Sequence, residues 1–210
     1  MYAIVENDEI LKLISHPQPI TIGNVQYSQK VFTLSSVERL ASLGIYEVHN
    51  NDENFRDEQY FDNTQPQYEF VPNYENSGIG RVVRTYGTAT PRQLEDIRDQ
   101  DQDGVDLSDQ YGRPVFIKGL KDKHKSKIKE EASALLTPTD WYVVKQTEVE
   151  EYTMPLNVST FRSQVRSQSD IMEQQIDNCN TVEELQALYV YSRNDDGDLV
   201  RPLAEFPILL

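Results

Sequence analysis

The amino-acid sequence predicts an α+β fold, with a small antiparallel β-rich N-terminal part followed by a mainly helical C-terminal part. Three observations predict it. Short apolar runs of strand length alternate with turn residues through the first part of the chain, the character changes at Pro91, and apolar residues recur at helical offsets from Leu120 onward.

The strand-like runs are Tyr2-Ala3-Ile4-Val5, Ile10 to Ile14, Ile20-Thr21-Ile22 after two prolines, and Val31-Phe32-Thr33-Leu34. Ser35 stands three residues before Glu38, the offset of a capping box, and Val37, Leu40 and Ala41 follow at helical spacing until Gly44, so one brief helix is expected. Ile45 to Val48, Gln67 to Val71 and Arg81 to Tyr86 alternate like half-buried strands, with loops rich in Asn and Asp between them.

After Pro91 the acidic run Asp99 to Asp109 reads as a linker or exposed loop, closed by the break at Gly112-Arg113-Pro114. This sets the expected division at residues 1–112, a β-rich domain, and 113–210, a mainly helical domain with a C-terminal tail. Leu120, His124, Ile128, Ala132 and Leu135 form one helical stripe, which Pro138 ends. Phe161, Val165, Met172 and Ile176 form a second stripe after Pro155, and Thr181 caps a third, short helix through Glu184. No internal repeat is evident.

Composition narrows the function. A net charge of −15 opposes contact with the phosphates of nucleic acid, which clustered Lys and Arg would drive. The N-terminus lacks the basic start and apolar run of a signal peptide, and no run is long enough to span a bilayer, so the chain reads as made and kept in the cytosol or released by lysis. The single cysteine, Cys179, lies in a polar stretch with no second thiol or nearby histidine, which fits a reducing compartment.

The sharpest local motif is Asp99-Gln100-Asp101-Gln102-Asp103-Gly104. Alternate carboxylates at Asp99, Asp101 and Asp103 before a glycine can converge on calcium. The rest of the loop departs from that pattern, because Asp106 and Gln110 occupy the places of an apolar residue and a bidentate glutamate, so a solvated acidic loop is the favoured reading. Apart from calcium, no cofactor is expected. Six lysines, Lys118, Lys121, Lys123, Lys125, Lys127 and Lys129, spread around the first long helix either as a solvated surface or as a docking face for an acidic neighbour, another copy included. His16, His49 and His124 stand apart from one another, no nucleophile elbow is present, and Gly78-Ile79-Gly80 lacks the third glycine of a dinucleotide site. Paired carboxylates of the glycosidase kind meet through folding, so sequence spacing does not test them. The expectation is a protein that is not an enzyme, with a carbohydrate-active enzyme as the alternative.

Two pairs of segments carry a resemblance. Met1-Tyr2-Ala3-Ile4-Val5-Glu6-Asn7 with Leu43-Gly44-Ile45-Tyr46-Glu47-Val48 resembles the start of small bacteriophage proteins encoded beside tail-fibre genes. Leu135-Leu136-Thr137-Pro138-Thr139-Asp140-Trp141 with Phe161-Arg162-Ser163-Gln164-Val165-Arg166 is similar to the pattern of phage tail-fibre assembly proteins. The likeness covers the amino-terminal fifth and the region near 120 to 180, and the middle from Asn50 to Gly112 has no counterpart. The family resemblance implies a tail, baseplate or fibre-associated protein made in the host cytoplasm and located in the virion tail, or a fibre-folding chaperone; the enzyme alternative is then a carbohydrate-active tail enzyme acting on host surface sugars. Its partners would be other phage tail or fibre proteins, with self-association as a further contact, and neither nucleic acid nor membrane. Trp141 and Phe161 become candidate partner-binding residues by this analogy, although Trp141 just after a helix stop also reads as a core anchor. The apolar end, including Phe206, Ile208 and Leu209, is costly to leave in water and suits a pocket on the chain or on a partner.

Overall fold

The structure is a computed structural model, and residues 1–209 are described. It is α+β, as expected, and it divides into two compact units at Thr90/Pro91. The Pro91 change of character marks that division, whereas the expected break at Gly112 falls inside the second unit. The reason is hydrogen bonding: the Asp99 N–H donates to the Val115 carbonyl, and Leu120 and Lys121 N–H donate to the carbonyls of Gln93 and Leu94.

The first unit is built on a five-stranded sheet in the order β2-β1-β5-β8-β7. Its strands are β1 (Tyr2–Glu6), β2 (Glu9–Ile14), β5 (Ile45–Asn50), β7 (Gln67–Val71) and β8 (Arg81–Thr85). Three of the four pairings are antiparallel, but β5 and β8 are parallel, which corrects the all-antiparallel expectation. After β5 the chain crosses to the far edge as β7 and returns between β5 and β7 as β8, so β8 runs with β5. A short β3 (Ile20–Ile22) and β4 (Val25–Tyr27) hairpin lies outside this sheet, and β6 (Phe61–Asp62) pairs with β9 (Thr90–Pro91) where the unit ends.

Both faces of the sheet are apolar because successive side chains point to opposite sides. Ala3 and Val5 join Tyr46, Val48 and Val82 on one face; Ile4 and Ile45 join Ile14, Ile20, Phe32 and Leu40 on the other. Val31–Leu34, expected as a strand, is the single-turn helix α1. Tertiary packing overrides its β-branched composition: the turn buries Phe32, whose ring lies 4.8 Å from that of Tyr2. Helix α2 (Val37–Ser42) forms as expected, with Ser36 rather than Ser35 accepting the capping bond, from the Arg39 N–H.

In the second unit, the segment expected to be a linker is ordered as a three-way β junction. β10 (Ile97–Arg98) pairs with β11 (Phe116–Ile117), and two tight hairpins branch from this stem, closed by the bridges Gln100↔Asp106 and Ser108↔Pro114. At the centre Asp99 N–H donates to Val115 O, Val115 N–H to Leu107 O, and Leu107 N–H to Asp99 O, a closed ring of residues 99, 107 and 115. The two hairpin turns are copies of one another. Asp101 and Asp109 each accept through Oδ1 from two backbone N–H groups, of Asp103 and Val105 and of Tyr111 and Arg113, and Gly104 and Gly112 have φ of +79° and +75°. Asp101 to Ser108 and Asp109 to Phe116 are therefore a short internal repeat, against the expectation of none. The sequence hides it because only the Asp, Gln and Gly of each copy are shared and the rest is free to vary. Asn194 to Asp198 makes the same turn between β12 (Ser192–Arg193) and β13 (Leu199–Val200).

The remainder is helical. α3 (Leu120–Leu136) packs along α5 (Leu156–Asp177), and α6 (Val182–Ala187) follows, with Thr181 Oγ1 accepting from the Glu184 N–H. Every residue of the expected α5 stripe is buried, and so are Leu120, His124, Ile128 and Ala132 of the α3 stripe. Pro138 ends α3 as expected, but the chain passes through a 3-10 turn at Thr137–Thr139 into α4 (Asp140–Glu148), a helix that the sequence pattern does not announce.

Candidate functional site

The residues that the sequence singles out for function all lie in the second unit, and folding sorts them into core and surface. Phe161 is 4% exposed and packs with Ala132, Val165, Leu135 and Leu136; Phe206 of the C-terminal segment packs on the same cluster. These two hold the helices together. The chain thus covers part of its own apolar end, with Leu203 fully buried and the Ala204 N–H donating to the Gln175 side chain at 2.9 Å. Ile208 remains 83% exposed and Leu209 42%, and with Leu156 they line a groove of about 530 Å³ in which none of the described lining residues is charged. Leu210 lies outside the described residues.

Trp141 is not a core anchor, because it is 51% exposed on α4, a helix with no buried residue. Its ring lies 3.8 Å from that of Tyr142, and the Lys145 ammonium sits over both Trp141 and Tyr152, 5.8 Å and 4.3 Å from the ring centroids. Val143 and Val144 on the same helix, and Val149 just beyond it, are exposed as well. Their signal was available in the sequence as a Trp-Tyr-Val-Val run directly after a helix stop.

What holds α4 in place is Arg162 of α5, a buried guanidinium that nothing in the sequence pattern marks as structural. Its Nη1 donates to the Leu136 carbonyl at 2.9 Å and to Thr139 Oγ1, and its Nη2 pairs with Asp140 Oδ1 at 2.8 Å. One side chain therefore satisfies the end of α3, the intervening turn and the start of α4.

The lysine run of α3 is mostly spent inside the unit. Lys118 pairs with Asp122, Lys121 with Glu95, Lys125 with Asp177 and Lys129 with Glu173. Lys121 is itself buried and also donates to the Asp177 carbonyl at 3.0 Å. Two of these pairs, Lys125–Asp177 and Lys129–Glu173, join α3 to α5, so the run serves more as an internal fastening than as a docking face. Cys179, expected in a polar stretch, is buried; burial raises its thiol pKa, and Sγ donates to the Gln175 carbonyl at 3.4 Å.

The acidic loop, with Asp99, Asp101 and Asp103, does not gather its carboxylates. Asp101 uses Oδ1 for the turn described above, and among the described residues no three His, Cys, Asp or Glu side chains come together to hold a cation.

His124 is 3% exposed, with its ring 4.7 Å from that of Tyr189. Burial, and secondarily the charge of Lys127, lowers its pKa from 6.5 to about 4. An unfolded chain takes up this proton near pH 6.5 and the folded one only near pH 4. Stability from this group is therefore complete above the upper value, falls through the window and levels off below the lower one. We expect urea midpoints measured across that window to decline with falling pH, and His124→Gln to flatten the decline; an unchanged slope in the variant would assign it to other groups.

No family model matches the chain, and no curated protein and no solved structure matches it. Among the described residues no helix is long and apolar enough to cross a membrane.

Proposed function

We propose that this chain is a non-enzymatic structural protein of a bacteriophage tail, associated with the tail, baseplate or tail fibre, and that it acts through protein–protein contacts. The observation that carries this reading is where the exposed apolar side chains stand. Many of them occupy elements that bury little of themselves: Val105, Tyr111, Phe116 and Ile117 on the β junction, Tyr191 and Leu199 around the β12–β13 hairpin, and Trp141 and Val144 on α4. A two-stranded hairpin or a short helix gains little stability by itself, so such projections fit surfaces that other proteins complete. The resemblance of the segments ending at Trp141 and beginning at Phe161 to phage tail-fibre assembly proteins supplies the setting, and the net charge of −15 disfavours a nucleic-acid partner.

The test is quantitative mass spectrometry of purified phage particles beside the infected-cell lysate. A fixed ratio of this chain to the major tail protein in particles is the expected result. Presence in the lysate alone would replace this reading with that of a fibre-folding chaperone.

A further inference from the structure

We infer that the face of α4, continued by the segment to Glu151, is a docking surface for a different protein whose contact patch is apolar at its centre and rimmed by Lys and Arg. This deepens the proposed function and rests on it.

Helix α4 is nine residues long and buries none of them. A helix of that length is not stable alone in water, and Val143, Val144 and Thr147 are poor helix formers. Its apolar members nevertheless face solvent: Trp141 is 51% exposed, Val143 43% and Val144 52%, and Val149 just beyond the helix is 45% exposed. Burial by a partner would supply what the chain does not.

Charge identifies the partner's chemistry. Asp140 is taken by Arg162, and Lys145 lies over the rings of Trp141 and Tyr152. Glu148, Glu150 and Glu151 are exposed, and none has an ion-pair partner among the described residues. Three uncompensated carboxylates beside an apolar strip complement a cationic rim and repel an acidic one. A second copy of this chain offers the wrong complement. It carries −15, and of the lysines in and just before its most basic helix, Lys118, Lys121, Lys125 and Lys129 are already paired within their own unit, which leaves Lys123 and Lys127 alone against that charge.

Trp141 is the only tryptophan, so its emission reports on this face directly. The probe is a designed amphipathic helix of Leu and Lys, titrated into the full chain. Binding should shift Trp141 emission to the blue and weaken with added salt. It should weaken about ten-fold in the triple variant Glu148→Gln, Glu150→Gln, Glu151→Gln, while the equal neutralisation Glu9→Gln, Glu53→Gln, Glu58→Gln in the first unit leaves it within about two-fold. Equal loss in both triple variants would reduce the effect to net charge and overturn the proposal, and so would an unmoved Trp141 emission. Sedimentation of the chain alone closes the remaining case: a dimer abolished by Val144→Ser would make a second copy the occupant and overturn the assignment of a basic partner. These measurements need no phage particle, so their failure is distinct from failure of the tail assignment.

Discussion

Arg162→Ala is expected to destabilise the chain by about 3 kcal/mol, as a lowered urea midpoint read by Trp141 fluorescence. The side chain is 6% exposed, and its removal leaves the Leu136 carbonyl and the buried Thr139 hydroxyl without their guanidinium donor. It also widens the groove that Arg162 lines with Ala132 and Leu136. The ion pair with Asp140 is the smaller part, since the Asp140 side chain is 57% exposed and water replaces the lost partner. Asp140→Asn should therefore cost well under about 1 kcal/mol, and Arg162→Lys should recover part of the loss by keeping one donor in reach. If Asp140→Asn proves as costly as Arg162→Ala, the fastening is electrostatic in origin, and the hydrogen bonds to Leu136 and Thr139 are not what holds the turn.

The same residue illustrates what the sequence made legible. The stripes of α3 and α5 could be read because buried positions recur every three or four residues and each position is decided locally. Arg162 stands beside Phe161 on that pattern and looks like a surface residue by type; only folding brings it against Thr139 and the end of α3. Trp141 departs in the opposite sense. A large aromatic after a helix stop suggests burial, but the unforeseen α4 turns it outward, and helix existence there depends on the fastening by Arg162 rather than on any local pattern. In the first unit, apolar alternation placed all five strands of the main sheet, yet it carries no information on the order of pairing, so the parallel β5–β8 pair was not visible. The candidate sites followed the same division. The acidic run reads as a linker or exposed loop, whereas folding makes two hairpins of it and gives the carboxylates of Asp101 and Asp109 to backbone N–H groups, which sequence spacing does not reveal.

Gly119→Ala should have an effect of similar size, about 3 kcal/mol, for a reason that conformational preference does not supply. Gly119 has φ of −72°, which any residue adopts. The obstacle is space: an added Cβ would stand 2.4 Å from the Glu95 carbonyl carbon and 2.5 Å from the carbonyl oxygens of Glu95 and Leu94, all of them backbone atoms that cannot rotate aside. Relief requires the 93–95 segment to withdraw. That segment supplies the carbonyls of Gln93 and Leu94, which accept the N–H groups of Leu120 and Lys121, two of the donors that the first turn of α3 cannot satisfy internally. The steric insult is thus converted into loss of the helix's own N-terminal hydrogen bonds, and it loosens the seating of Glu95 on Lys121. Gly104→Ala separates the two causes, because Gly104 has φ of +79° and open space around its missing Cβ, so only backbone strain of about 1 kcal/mol is expected there. Hydrogen exchange should quicken at the Leu120 and Lys121 amides in Gly119→Ala and stay unchanged at them in Gly104→Ala. Equal midpoints for Gly119→Ala and the parent chain would mean that the close approach of residues 94 and 95 to α3 does not exist in solution.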